Sequence, residues 1–282
     1  MKVNFIGVGA IGLPMARQIS QAGHDVVGMD VVAATCEQAR SQGIPAVGRV
    51  ADLRPADVSV VMVATPRQLE KLVDDVLENA TASTYWVIMS TVGPASARTQ
   101  GDRLRRAGAK VVDAPVTGGV ARAKTGQLVI FAAGAEGDID AVRPVLKAMG
   151  DVRLAGATLG DGQAIKVVNQ HLCSVHLAAA AEALSLAASL GLDPAQVLSM
   201  IEKGAAGSWM LSDRGPRMLR GTDVEVTSAV DIFVKDSGLV AQAAQDCGAQ
   251  VPLLDVAHTR FAQASAAGLG KRDDSRVIET WR

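Results

Sequence analysis

From Gln163 to Leu190 the chain contains neither glycine nor proline and is rich in alanine and leucine. At about 1.5 Å per residue such a run makes a helix roughly 40 Å long, longer than most helices of globular domains. A helix of that length organises what lies on either side of it. Before it, short apolar runs alternate with helical periodicity; after it, only helical stretches follow. The run therefore separates an α/β part, expected at residues 1–161, from an all-α part, expected at 162–282. Lys166 falls near the helix start, where the positive end of the macrodipole disfavours a charged ammonium. That suits a lysine which must give up its proton near neutral pH better than a structural cation. Gln170 lies one turn on, on the same face.

The N-terminal part opens with a buried strand, Val3-Asn4-Phe5-Ile6, followed at once by Gly7-Val8-Gly9-Ala10-Ile11-Gly12. A helix then runs to Ala22, Gly23 stops it, and a second strand, Asp25–Met29, ends at Asp30. A glycine turn between strand and helix, with an acidic residue 23 positions after its first glycine, is the fingerprint of a dinucleotide-binding βαβ unit. Gly7 and Gly9 permit a tight turn and close backbone approach, and Gly12 lets helix pack on strand. The N–H groups around Ala10, Ile11 and Gly12 then face a pyrophosphate. Asp30 accepts hydrogen bonds from ribose hydroxyls. Its carboxylate repels a 2′-phosphate, and Val31 and Val32 offer no compensating cation. The expected cofactor is therefore NAD rather than NADP.

Val58–Ala64 and Trp86–Met89 read as doubly covered strands of a parallel, doubly wound Rossmann sheet. Thr65 and Thr91 follow their C-terminal ends, where open α/β sheets bind ligands; each is equally well placed to cap a helix. A strand ending at Asp113 leads into Ala114-Pro115-Val116-Thr117-Gly118-Gly119. Here a hydroxyl and paired glycine N–H groups can form a nest for a carboxylate, or simply a turn that needs positive φ. Strands at Leu128–Ala133 and Asp151–Leu154, with a helix between them, complete this part. In the C-terminal part, Asp193-Pro194 caps a short helix, and a small-residue loop, Gly204–Ser208, ends in Trp209. Trp209 suits a core position or the wall of a pocket. Lys235 and Asp236 lie on a helix expected over Ser228–Asp246.

Composition narrows the function classes. Lys plus Arg (28) nearly balance Asp plus Glu (29), so no basic excess points to nucleic acid or an acidic membrane. The three cysteines Cys36, Cys173 and Cys247 are widely spaced, giving neither a disulfide framework nor a metal site and fitting a reducing cytoplasm. The four histidines have no metal-ligand spacing. No stretch of 18 apolar residues free of charged or strongly polar groups is found, so no membrane span is expected.

Taken together, four motifs in order resemble the β-hydroxyacid dehydrogenase family, which includes 3-hydroxyisobutyrate and tartronate semialdehyde enzymes and is related to 6-phosphogluconate dehydrogenase. They are the glycine turn, Asp113–Gly119, the lysine helix and the Lys235-Asp236 segment; the likeness extends to the final Asp273-Asp274-Ser275-Arg276-Val277-Ile278. The resemblance implies NAD-dependent oxidation of a small hydroxy carboxylic acid by a homodimer or homotetramer. It implies that Thr117, Gly118 and Gly119 hold the substrate carboxylate, with Thr for the usual Ser. Lys166 becomes the general acid/base, Lys235 lines the nicotinamide and substrate region, and Thr91 contacts the cofactor. Gln170 stands where the family usually has Asn, one methylene longer. Gln170 and the Gly204–Trp209 loop are similar to the branch acting on L-threonate. Two alternatives stay open: 3-hydroxyisobutyrate or tartronate semialdehyde chemistry, and an imine or semialdehyde reductase.

Overall fold

A computed structural model of the protein describes residues 1–79, 83–221 and 224–281. The chain forms two compact units, Met1–Lys166 and Val167–Arg282.

The N-terminal unit opens with β1 (Lys2–Ile6), α1 (Gly12–Gln21), β2 (Asp25–Met29), α2 (Ala33–Ser41) and a two-residue β3 (Ala46–Val47). Then come β4 (Ala56–Val61), α3 (Pro66–Glu78), β5 (Ser83–Ile88), α4 (Pro94–Arg106) and β6 (Lys110–Asp113). The six strands lie in the order β3-β2-β1-β4-β5-β6, all parallel. This is the strand order of the doubly wound dinucleotide fold. Beyond β6 the direction changes. The short β7 (Val116–Thr117) and β8 (Leu128–Ala133) pair antiparallel, with α5 (Gly119–Lys124) between them in sequence. After α6 (Glu136–Lys147), β9 (Gly150–Gly156) pairs parallel with β8.

The strands alternate between two cores. Val3, Phe5, Val58, Val60, Val87, Met89 and Val112 share one cluster with Met15 and Ile19 of α1. Ile6, Val61, Trp86, Ile88 and Val111 share the other with Leu69 and Val73 of α3 and Leu104 of α4. Successive strand side chains point to opposite faces, so a sheet covered on both sides needs apolar residues in sequence. The near-continuous Val and Ile runs supply them. The strand at Val58–Ala64 ends three residues early, because Val63 N–H donates to Ser90 Oγ rather than to a ladder carbonyl.

The long helix α7 spans Asp161–Ser189, beginning two residues before the expected start. It carries the chain into the second unit. There α8 (Pro194–Ile201), α9 (Trp209–Met218), α10 (Val230–Cys247) and α11 (Pro252–Ala264) follow, and the chain closes in a 3₁₀ segment, Asp274–Trp281. Leu177, Ala181 and Leu184 of α7 pack with Leu198, Leu211, Phe233, Phe261, Val277 and Ile278. Partly buried ion pairs, each with a fully buried carboxylate, fasten α9 to the C-terminal segment and the residue before it: Arg214 to Asp274 and Arg217 to Asp273, at 2.9 and 2.8 Å. Removing one partner from such a pair strands a buried charge. By length and composition α7 is long and apolar enough to cross a membrane, a criterion that the core helix of a soluble protein meets as well. Asn169, Gln170 and His171 interrupt it without lowering its overall apolarity enough.

Candidate active site

The glycines of the turn after β1 meet two different demands. Gly7 has φ +94° and its N–H donates to Met29 O, tying the turn to β2. A Cβ there would lie 2.3 Å from Met62 O, and one on Gly12 only 1.9 Å from Gly7 O. Nothing lies within 4 Å of a Cβ built on Gly9. Two glycines therefore serve close packing of backbone on backbone, and the third leaves open space where a ligand's backbone can approach. Helix α1 starts at Gly12 after Ile11 with no side-chain cap, so no side chain competes for its first N–H groups. A pyrophosphate fits this arrangement.

Asp30 follows β2, and its Oδ1 accepts the Val32 N–H at 3.0 Å. Val31 and Val32 are 79 % and 53 % exposed, so the positions after the carboxylate present apolar side chains and no cation. Thr65 is the N-cap of α3. Its hydroxyl accepts the Gln68 N–H and Gln68 reaches back, a complete capping box. Thr91 lies in the loop Ser90–Gly93 that links β5 to α4.

The nest residues sit where β7 ends. Thr117 is its last residue, and Gly118 and Gly119 have φ of +131° and +65°. A Cβ on Gly118 would press on the Arg122 side chain at 2.8 Å. Positive φ and close packing both exclude larger residues there, so the turn requirement is real.

Lys166 is buried, the sixth residue of α7, in its second turn rather than its first. The macrodipole effect fades within the first turn, and the N-terminus is not bare. Asp113, the last residue of β6, presents its carboxylate to that end of the helix. Its Oδ2 accepts the N–H groups of Gly160 at 3.1 Å and Gln163 at 3.0 Å. That carboxylate offsets the positive end of the macrodipole that Lys166 would otherwise meet. Gly162 lets the first turn sit this close; a Cβ there would strike Phe131 O at 2.4 Å and meet Pro115 at 3.0 Å. The turn before Lys166 is thus seated on the segment that leads to Thr117.

Burial pushes the Asp113 carboxyl up to about 6, against hydrogen bonds from Gln163, Gly160 and Gly162 that pull the other way. Against an ordinary value of 3.8, the native state then holds more protons than the unfolded chain between about pH 4 and 6. This group's contribution to stability therefore grows as pH falls through that window and is lost as pH rises. Chemical denaturation of the parent and Asp113→Asn at several pH values should show the parent gaining relative stability from pH 7 to pH 4.5. A difference independent of pH would contradict that environment.

In the C-terminal unit the structure brings together Gln170, Asp236 and Lys235. Gln170 Nε2 donates to Asp236 Oδ2 at 2.5 Å, and Lys235 Nζ lies 2.7 Å from Asp236 Oδ1. Asn169 donates to Gln170 Oε1 at 2.9 Å. Trp209 opens α9, half exposed, with the Arg214 guanidinium 5.4 Å from its ring centre. Among the described residues no cluster of three His, Cys, Asp or Glu could hold a metal ion.

Sequence reasoning passed over Asp113 and Gln163 as parts of this site. A signal was present. A carboxylate closing a buried strand needs donors, and Gly160-Asp161-Gly162 is a source of uncapped N–H groups.

A doubly wound sheet with an open glycine turn, followed by a helical unit, defines a dinucleotide-binding protein. Residues 2–160 match the model of the NAD binding domain of 6-phosphogluconate dehydrogenase. Residues 160–281 match that of the NAD-binding region of NADP-dependent 3-hydroxyisobutyrate dehydrogenase. An L-threonate dehydrogenase of Cupriavidus necator is 36% identical, over 98% of this chain and 95% of that protein. The crystal structure of a 3-hydroxyisobutyrate dehydrogenase from Salmonella typhimurium superposes with a TM-score of 0.90 at 33% identity, covering 99% of both chains. That of Mycobacterium tuberculosis 3-hydroxyisobutyrate dehydrogenase with L-serine gives 0.85 at 31%, covering 100% and 99%. The chain belongs to the 3-hydroxyisobutyrate dehydrogenase-like β-hydroxyacid dehydrogenase family and is an NAD(P)-dependent oxidoreductase.

Proposed function

We propose that the protein oxidises a small hydroxy carboxylic acid, L-threonate or a near stereoisomer, to the oxo acid, with Lys166 as general acid/base. The observation that carries this reading is a buried lysine whose helical turn is seated on the segment leading to Thr117, Gly118 and Gly119. The likeness to an L-threonate dehydrogenase supports the substrate.

In this reading Gly7, Gly9, Ala10, Ile11 and Gly12 hold the pyrophosphate, and Asp30 takes the ribose hydroxyls. Thr65, Thr91 and Lys235 make further cofactor contacts. Bound NAD⁺ supplies the hydride acceptor. The Thr117 hydroxyl and the N–H groups of Gly118 and Gly119 bind the substrate carboxylate, which fixes the carbinol carbon and provides the proximity effect. Gln170, Lys235 and Trp209 are assigned to substrate binding. Lys166, as the neutral amine, accepts the hydroxyl proton; in reverse its ammonium returns that proton to the alkoxide oxygen. Self-association as a homodimer or homotetramer is supported by the exposed apolar residues Val168, Leu172 and Leu186 along α7 and Leu190 just beyond it.

The cofactor preference is tested at Asp30. Asp30→Ala should weaken NAD binding and narrow the ratio of NAD to NADP turnover, since the carboxylate that repels a 2′-phosphate is gone. An unchanged ratio contradicts the assignment. Assays in both directions, with hydroxy acids on one side and semialdehydes and imines on the other, separate the dehydrogenase from a reductase.

A further inference from the structure

We infer that Gln163 is a positioning residue of the reaction, fixing the turn of α7 that carries Lys166 to the loop after β5 and to Asp113 at the end of β6. The inference rests on the proposed role of Lys166. Gln163 is fully buried, and its carboxamide uses every hydrogen-bonding position it has. Nε2 donates to Ser90 O at 2.9 Å and to Asp113 Oδ1 at 3.0 Å. Oε1 accepts the N–H groups of Val92 at 3.0 Å and Gly93 at 3.1 Å. Its own backbone N–H donates to Asp113 Oδ2.

One amide therefore ties the start of α7 to two segments, one 50 and the other 70–73 residues upstream. Lys166 follows three residues later, a neighbour on the helix surface. Sliding the helix by one residue would shift Lys166 by about 1.5 Å and rotate it by about 100°. A misplacement near 1 Å can cost about 10²-fold in rate. No other side chain provides this set. Asn is a methylene short. Glu lacks both donors and would set a second carboxylate against Asp113. Met matches the length and makes none of the bonds. The residue thus restrains the helix rather than contacting substrate.

The test is a double-mutant cycle on turnover, using whichever hydroxy acid the parent oxidises with NAD⁺. Gln163→Met is expected to lower kcat about 10- to 100-fold while remaining folded by circular dichroism and thermal melting. In the Lys166→Ala background the same substitution should cost less than about 3-fold, because the group it positions is already absent. An equal fold-loss in both backgrounds marks a general structural role and overturns the inference. If Gln163→Met does not fold, Gln163→Glu goes through the same cycle with the same two outcomes; it keeps the length and the acceptor to Val92 and Gly93. Lys166→Ala alone tests the underlying reading. If that variant turns over like the parent, the lysine assignment fails and the inference falls with it. If its kcat falls by about 10²-fold or more and the cycle is additive, the inference alone fails.

Discussion

Lys166→Ala should lower kcat by about 10²-fold or more, the scale of general acid–base catalysis, while NAD affinity stays within a few-fold of the parent. The two effects separate because the pyrophosphate and ribose contacts are assigned to the Gly7–Gly12 turn and Asp30. Removing a group that acts on the hydroxyl proton lowers kcat and kcat/KM together; removing a group that only binds substrate raises KM. Stopped-flow measurement of the first turnover, with NAD binding followed by fluorescence, distinguishes these cases. Turnover within a few-fold of the parent would take Lys166 out of the mechanism. The lysine is buried, and truncating it leaves space in the fold, so melting of the variant belongs beside the kinetics.

Alanine at Gly9 and at Gly12 should both weaken NAD binding, but only the change at Gly12 should cost stability. At Gly12 the new Cβ would lie 1.9 Å from Gly7 O and 3.0 Å from the Phe5 ring. Both α1 and the turn must shift. Overpacking of this kind costs about 1–3 kcal/mol, lowering Tm by several degrees, and the displaced turn should lose NAD affinity by more than about 10-fold. At Gly9 nothing within 4 Å opposes a methyl group, so stability should hardly change. Affinity for NAD should nevertheless fall about 10-fold or more, because that open space is where the pyrophosphate backbone approaches. Calorimetric Kd and Tm for both variants form the test. A Gly9→Ala protein that binds NAD like the parent would mean the turn serves packing alone.

Much of this was legible because its causes are local. Gly7, Gly9 and Gly12 follow a strand and open a helix, and Asp30 closes the next strand, so the βαβ unit is written in contiguous residues. The glycine- and proline-free run from Gln163 to Leu190 yields α7 at Asp161–Ser189, since helix-breaking residues bound it on both sides. Thr65 shows the limit of local reading. It fits both a cap and a cofactor contact, and the capping box it forms with Gln68 is an i to i+3 signal. What stayed hidden depends on residues far apart in sequence. The two-residue strand Val116–Thr117 is too short for periodicity and exists through its pairing with β8. The carboxamide of Gln163 finds Ser90 and Val92 some seventy positions upstream. The expected influence of the dipole on Lys166 missed the Asp113 carboxylate for the same reason. Trp209, which suited either core or pocket wall, is half exposed beneath Arg214.

The central claim is that this chain couples NAD⁺ reduction to oxidation of a small hydroxy acid through an amine base. It is tested most directly by the initial rate of NADH formation across a panel of three- to six-carbon hydroxy acids, with Lys166→Ala run beside the parent. The account predicts the highest kcat/KM for L-threonate or a near stereoisomer and a collapse of that rate in the variant. No acid oxidised above background, or equal rates from parent and variant, would contradict it.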